Sequence, residues 1–442
     1  MTEKEASIEP AGSASESGWL RNYLPMAIGQ IISLLGSALV QFALVWYETK
    51  TTGSAAVLAT TTTAALIPNV VLGPFAGALV DRWDRKLVMI IADLIVAMAT
   101  AILAALFAFG AVQFWHIVLT LLIRSTAGVF QGPARTAATT LMVPKEHLGR
   151  IGGVNQAVDG IMNVFSPALG ALMIELMPIQ GVLAVDIITA ALAIALLIFF
   201  VRVPKLETDP ETEHVAPKTV LADVRDAVRY VLTWPGLLLM ILMASLLNMF
   251  LAPAGSLLPL HVTAYFGKGA QELAWLQITS GVGSIVGGLL LGVWGGFKRK
   301  VWTVMIGIVG IGAGMLAFGL VPADRYSWSL IVLGTVGLMS SLANGSIGPL
   351  FQVKVPPEMQ GRVFTLLSSL SIAMMPIGLF FAAPIADRLG MKAVYILGGT
   401  ACILISVFGM LDKRIITLDL QKEGGALMTE EEINLPSNPR KG

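Results

Sequence analysis

Apolar runs of twenty or more residues recur along the whole chain, broken only by short charged or Gly/Pro segments, and this pattern leaves few folds open. A hydrocarbon layer about 30 Å thick takes roughly 20 helical residues per crossing, and every backbone polar group within it must be paired inside the protein. Twelve such runs are read at 20–47, 54–80, 86–109, 114–136, 147–175, 181–202, 236–262, 271–295, 300–320, 328–351, 361–385 and 391–411. The runs are continuous and do not alternate over ten residues, which excludes a transmembrane barrel. Composition agrees: 55% of residues are hydrophobic, 13% are charged and the mean hydropathy is +0.78, whereas about a quarter of a soluble protein is charged. The expected fold is all-α integral membrane, twelve transmembrane helices in two parallel-repeat six-helix bundles.

Lys and Arg concentrate in cytoplasmic loops. With the N-terminus inside, 23 basic residues fall on the cytoplasmic side and 5 outside, with Arg124 left inside a span. A multi-pass cell-membrane protein with both termini cytoplasmic is expected. Residues 1–19, polar and rich in Ser, Ala and Glu, read as a disordered cytoplasmic tail, and the apolar run after them starts too late and extends too far for a cleaved signal peptide, so it reads as a retained span. An N-terminal six-helix bundle (20–202), a cytoplasmic linker with an amphipathic helix (203–235, amphipathic over Val220–Leu232), a C-terminal six-helix bundle (236–411) and a cytoplasmic tail (412–442) follow. The segment Val143-Pro144-Lys145-Glu146-His147-Leu148-Gly149-Arg150 is echoed 212 residues later by Val355-Pro356-Pro357-Glu358-Met359-Gln360-Gly361-Arg362. Six spans per repeat leave both halves pointing the same way, and parallel repeats of this kind place a transport site between them.

Several function classes are excluded. A net charge of +1 offers no field for nucleic acid. One cysteine, Cys402, allows no internal disulfide and no thiolate metal cluster, and His116, His147 and His261 lack ligand spacing, so no metal and no cofactor are expected. The spans hold no paired nucleophile and base, so the chain is not read as an enzyme. No G-x-x-x-x-G-K-[ST] loop occurs, so the energy source is an ion gradient or the substrate's own gradient. Gly281-Val282-Gly283-Ser284-Ile285-Val286-Gly287 mimics a dinucleotide fingerprint, but it sits inside a span and reads as helix packing. A membrane-embedded scaffold or receptor is the rival class, and binding without translocation would mark it.

Polar residues inside the spans carry the chemistry. Arg124, Gly128, Gln131 and Arg135 form one stripe of span 4. A charge at mid-bilayer costs about 2.5–3.5 kcal/mol on insertion scales, so Arg124 is expected inside the bundle with a partner. Depth along the helices, at about 1.5 Å per residue, points to Asp159 of span 5. Two readings stand beside each other: a proton on Asp159 changes the pairing and couples to conformation, or the pair is a static packing device. A cavity is expected from Gln30, Ser33, Ser37 and Gln41 of span 1, Gln156 and Asn163 of span 5, Asn248 of span 7 and Asn344 of span 10. With 20 Met and 18 Phe in the chain, such a cavity suits a large amphipathic compound held loosely. Asp93 is read as a partner of the basic residues after span 2, and Glu175 and Asp186 as candidates for an outward proton site.

The loop Gly77-Ala78-Leu79-Val80-Asp81-Arg82-Trp83-Asp84-Arg85-Lys86 resembles the signature loop of the major facilitator superfamily, with Asp84 where the family usually has glycine. That variant is similar to the macrolide-efflux and enterobactin-exporter branch. The run from Arg124 to Ala134, the Val143–Arg150 segment and Asn155-Gln156 look like the same branch, and Arg124 resembles the span-4 arginine of proton-coupled members. Ser166-Pro167-Ala168-Leu169-Gly170-Ala171 resembles a weakened antiporter motif, with a helix kink at Pro167 and Gly170. The resemblance implies a secondary active exporter, a proton antiporter, of amphipathic small molecules such as macrolide-type drugs. A siderophore or lysophospholipid transporter of the same superfamily is the alternative. It further implies a monomer in the lipid bilayer, proton coupling at Asp159 and Arg124, and a cytoplasmic gate at Gly77, Asp81, Arg82, Asp84, Arg85 and Lys86. For those loop residues a plain membrane anchor is the competing reading.

Overall fold

The computed structural model describes residues 18–80, 83–204 and 220–418. Six long helices come first: α1 (Gly18–Thr52), α2 (Ala55–Val80), α3 (Arg85–Ala108), α4 (Phe114–Met142), α5 (Lys145–Leu176) and α6 (Ile179–Phe200). The amphipathic α7 (Val220–Thr233) leads into α8 (Pro235–Ser256), the single turn α9 (Leu258–Leu260), α10 (Ala270–Trp294), α11 (Lys300–Leu320), α12 (Tyr326–Lys354), α13 (Pro357–Leu389), α14 (Met391–Leu411) and the short α15 (Lys413–Ile416). Eleven of the described helices are long and apolar enough to cross a membrane, and in α5 the apolar part is Gly160–Leu176. Together these are the twelve spans expected, and no strand occurs among the described residues.

Local chemistry sets the boundaries. Asp84 caps α3 by accepting from the Leu87 N–H at 3.1 Å, and Gly295 closes α10 at φ +74°, a left-handed conformation that glycine adopts without strain. Span 7 ends earlier than expected, at Ser256. Pro259 lacks an N–H to continue the ladder, and the chain passes through a wide turn over His261–Tyr265. Of the tail expected at 412–442, the start is packed, since Asp412 caps α15 and both Ile415 and Leu418 are buried. The rest of that tail, residues 1–17 and most of the linker lie outside the described residues. In α7, Ala227 and Val231 turn inward while Arg225, Val228, Arg229 and Leu232 are exposed.

Packing repeats between the two halves. α1 lies on α5 and α6, as α8 lies on α13 and α14; α3 lies on α4 and α6, as α11 lies on α12 and α14; α2 lies on α4, as α10 lies on α12. Across the halves, α2 meets α13 and α5 meets α10, again a symmetric pair. Lipid is as apolar as leucine, so helices in it associate where small residues allow close approach. A methyl on Gly283 would stand 1.9 Å from the Gly334 carbonyl oxygen, and one on Gly337 would stand 2.0 Å from that of Ser280. The glycine run of α10 is therefore a packing face against α12, as read from the sequence.

The halves meet at the face opposite the basic loops. There the Ala55 N–H at the start of α2 donates to Asp387 of α13 at 3.3 Å, and Gln271 of α10 donates to Glu175 of α5 at 2.5 Å. Trp46, Leu58 and Ala171 share one buried cluster with second-half residues at this face. Toward the basic loops, the cluster of Tyr23, Met26, Val80, Met89, Met142 and Leu197 draws on the first half alone.

Valine at Gly283 should overpack the α10–α12 contact by about 1–3 kcal/mol or more. Thermal unfolding in detergent is expected to show a clearly lower Tm for Gly283→Val, while Gly292→Ala, which meets open space, leaves it unchanged.

Candidate functional site

A polar ladder of two rungs runs through the interior of the first half. In the upper rung the Arg124 guanidinium of α4 pairs with the Asp186 carboxylate of α6 at 2.5 Å, with 9% and 1% of the two side chains exposed. Thr100 of α3 accepts from Arg124 and donates to Asp186 at 3.0 Å, and Ser37 of α1 donates to the other Asp186 oxygen at 3.3 Å. In the lower rung, Asp93 of α3 accepts from Gln131 of α4 at 2.7 Å, from Ser33 at 3.1 Å and from Gln30 at 3.2 Å, both of α1. Asp93 and Thr100 are seven residues apart, as are Arg124 and Gln131 on the antiparallel α4. Two antiparallel helices with matched seven-residue spacing align both rungs, about 10 Å apart at 1.5 Å per residue.

This geometry corrects three expectations. Arg124 pairs with Asp186, which is brought to it because α4 and α6 both flank α3; the side chain of Asp159, the partner expected, lies outside the described residues. Gln30, Ser33 and Ser37, expected to line a cavity, turn away from it to hold Asp93 and Asp186, and the first two are buried at 2% and 5% exposure. Asp93 meets neutral donors and not the loop cations. Lys86 donates instead to the Ile198 and Val201 carbonyls at the end of α6, at 3.2 and 2.9 Å, where a cation also suits the helix dipole. A further buried carboxylate, Glu48 of α1, accepts from Thr61 at 2.9 Å.

Of the expected gate residues, Asp84 and Lys86 are thus occupied within the first half, and Gly77 faces open space. Asp81 and Arg82 lie outside the described residues.

Between the halves lie two adjoining cavities of about 810 and 600 Å³, which share Leu251, Gly255 and Gln277. The smaller is lined by Gln41, Phe42, Thr62, Met162, Ser166, Pro167 and Met375. The larger adds Ser280, Ser284, Met315, Phe318, Ser340 and Tyr395. Gln41, expected at a cavity, lines the smaller one, as does Pro167, which was expected only as a kink; Gly170 admits the Phe42 ring, which a methyl there would meet at 2.8 Å. Asn248 donates to the Ala244 carbonyl and Asn344 to Ser340, each within its own helix. The side chains of Gln156 and Asn163 lie outside the described residues. Sequence reasoning missed Gln277, although Gln277, Ser280 and Ser284 form a polar stripe on α10 of the same kind that was read on α1 and α5.

A profile of the Major Facilitator Superfamily matches residues 26–375. Macrolide efflux protein A of Streptococcus pyogenes is 32% identical over 405 residues, covering 92% of this chain and 99% of that protein. Multidrug efflux pump Tap of Mycolicibacterium fortuitum is 26% identical, covering 87% and 94% of the two chains. Among solved structures, a nucleoside transporter, NupG (D323A mutant), superposes with a TM-score of 0.70 at 12% identity, covering 88% of this chain and all of that one.

Removing one partner of a buried ion pair leaves an uncompensated charge, at a cost of about 3–5 kcal/mol. Arg124→Ala is expected to lower the Tm in detergent steeply, and the double variant Arg124→Met with Asp186→Leu should recover most of the loss, since neither charge then remains.

Proposed function

The chain belongs to the Major Facilitator Superfamily, and from that premise we propose that it exports large amphipathic small molecules, macrolide-type drugs among them, out of the cytoplasm in exchange for protons. The observation that carries this reading is a wide inter-half cavity in a protein whose first half buries an ion pair, Arg124 with Asp186. A cavity of about 810 Å³ lies in the upper part of the roughly 300–1,000 Å³ range of drug-sized sites. Its lining of Met, Phe, Ser and Gln presents apolar area with few fixed hydrogen-bond demands, which suits loose recognition. The names of the efflux relatives point the same way.

Proton exchange acts on Asp186. Once its carboxylate is protonated, Arg124 loses its counter-ion inside the membrane, and an unmatched guanidinium there is costly. The contact of α4 with α3 and α6 then has a second, competing arrangement, and the proton biases the choice between the two. The coupling role expected of Asp159 with Arg124 thus passes in the first instance to Asp186, and Asp159 is tested beside it. When the halves close over the basic face, Asp81 and its neighbouring basic residues form the gate on that side, with both termini in the cytoplasm.

Everted membrane vesicles test this. With an acid interior, labelled erythromycin is expected to accumulate several-fold and to leave when a protonophore collapses the gradient. Arg124→Ala and Asp186→Asn should abolish the accumulation, and Gln277→Ala should weaken erythromycin binding by about fivefold, within the range of one lost polar contact. Accumulation that ignores the protonophore would remove the proton from the cycle. A siderophore or a lysophospholipid moving in place of erythromycin would reassign the substrate and leave the coupling.

A further inference from the structure

The lower rung of the ladder holds a carboxylate without a cation. Asp93 is 2% exposed, and every group that touches it is neutral: the Gln131 and Gln30 amides and the Ser33 hydroxyl. Gln131 also donates to the Gln30 oxygen at 3.2 Å, so the two amides brace each other around the carboxylate. Among the described residues no ion pair involves Asp93. On α6 the group acting on it is Asp186, of the same sign. On α4, Arg124 is turned to Asp186 and Arg135 lies toward Tyr23 of α1. An ionised carboxylate in such a place is an uncompensated charge inside the membrane, and such groups mark proton relays where a proton can neutralise them.

We propose that Asp93 is a second proton-binding site of the transporter, loaded while α1, α3 and α4 close on it as they do here, and emptied to water when α4 moves against α1. This rests on the proton-coupled reading above. The proton arrives from water and forms an O–H bond on one carboxylate oxygen, with a lone pair of Ser33 Oγ at hand to accept from it. On release that bond breaks and the proton returns to water, with no other bond changed. The rungs are separate proton sites: Asp93 can load without disturbing the pair of Asp186 with Arg124, and parting Gln131 from Gln30 uncovers it. Because Gln131 and Arg124 share one face of α4, a shift of that helix strains both rungs together.

The experiment compares the full-length wild type with Asp93→Asn and Asp93→Glu in proteoliposomes, with erythromycin as the probe. Asparagine has the shape of a protonated aspartate, so Asp93→Asn is expected to bind erythromycin within about twofold of wild type yet lose proton-driven accumulation by about tenfold or more, a typical coupling factor. Its pH profile should lose one titrating step, and infrared difference spectra should lack one protonated-carboxyl C=O band present in wild type. Asp93→Glu should restore both the band and a pH-dependent accumulation. An Asp93→Asn variant with wild-type coupling, pH profile and spectrum would reduce Asp93 to a packing residue. Accumulation driven by a sodium gradient at constant pH, and lost in the variant, would overturn the proton assignment in favour of a metal cation. If the wild type itself shows no proton-driven accumulation, the proton-coupled reading falls and takes this site with it; a fault confined to the variant comparison removes this site alone.

Discussion

A charge inside a hydrocarbon layer has to be matched, and the match between Arg124 and Asp186 organises the first half of this protein. The pair joins α4 to α6 across α3, and Thr100 and Ser37 complete its hydrogen bonds from α3 and α1. Four helices are thereby tied at one depth. Replacing such a pair with well-packed apolar residues is often neutral or stabilising, so its presence is weak evidence for a stability role.

The two halves share a packing scheme but divide their tasks. Among the described residues, the buried carboxylates Glu48, Asp93 and Asp186 all belong to the first half. The second half is held by close glycine contacts, Gly283 with Gly334, Gly337 with Ser280 and Gly378 with Met249, and supplies most of the larger cavity's lining. The buried carboxylates thus reside in one body and most of the larger cavity's lining in the other. The link between them runs through α2 against α13 and α5 against α10. Asp387 at the α2 start and Glu175 with Gln271 fasten both contacts at the same face.

Much of this was legible before any coordinate. The spans followed from apolar length, because a membrane demands it, and the amphipathic α7 followed from its pattern. The repeat around Val143 and Val355 foretold the matched helix contacts. The depth of Arg124 was read well enough to demand a buried acid. Which acid was another matter: Asp159 and Asp186 both lie within reach by depth along their helices, and rise per residue says nothing about which helices stand side by side.

Sequence by itself therefore determined that the chain is a twelve-span, two-repeat membrane protein with charged groups inside one half, since hydrophobic length, periodicity and basic-residue placement are local properties. Only the tertiary structure decided that α1 turns Gln30, Ser33 and Ser37 toward two carboxylates, that Asp93 hydrogen-bonds only to neutral groups, and that Gln277 stands where both cavities join. Those facts depend on helix rotation and neighbour choice. Both are set by how small residues let particular helix faces approach, a sum over many contacts that no single stretch of sequence contains.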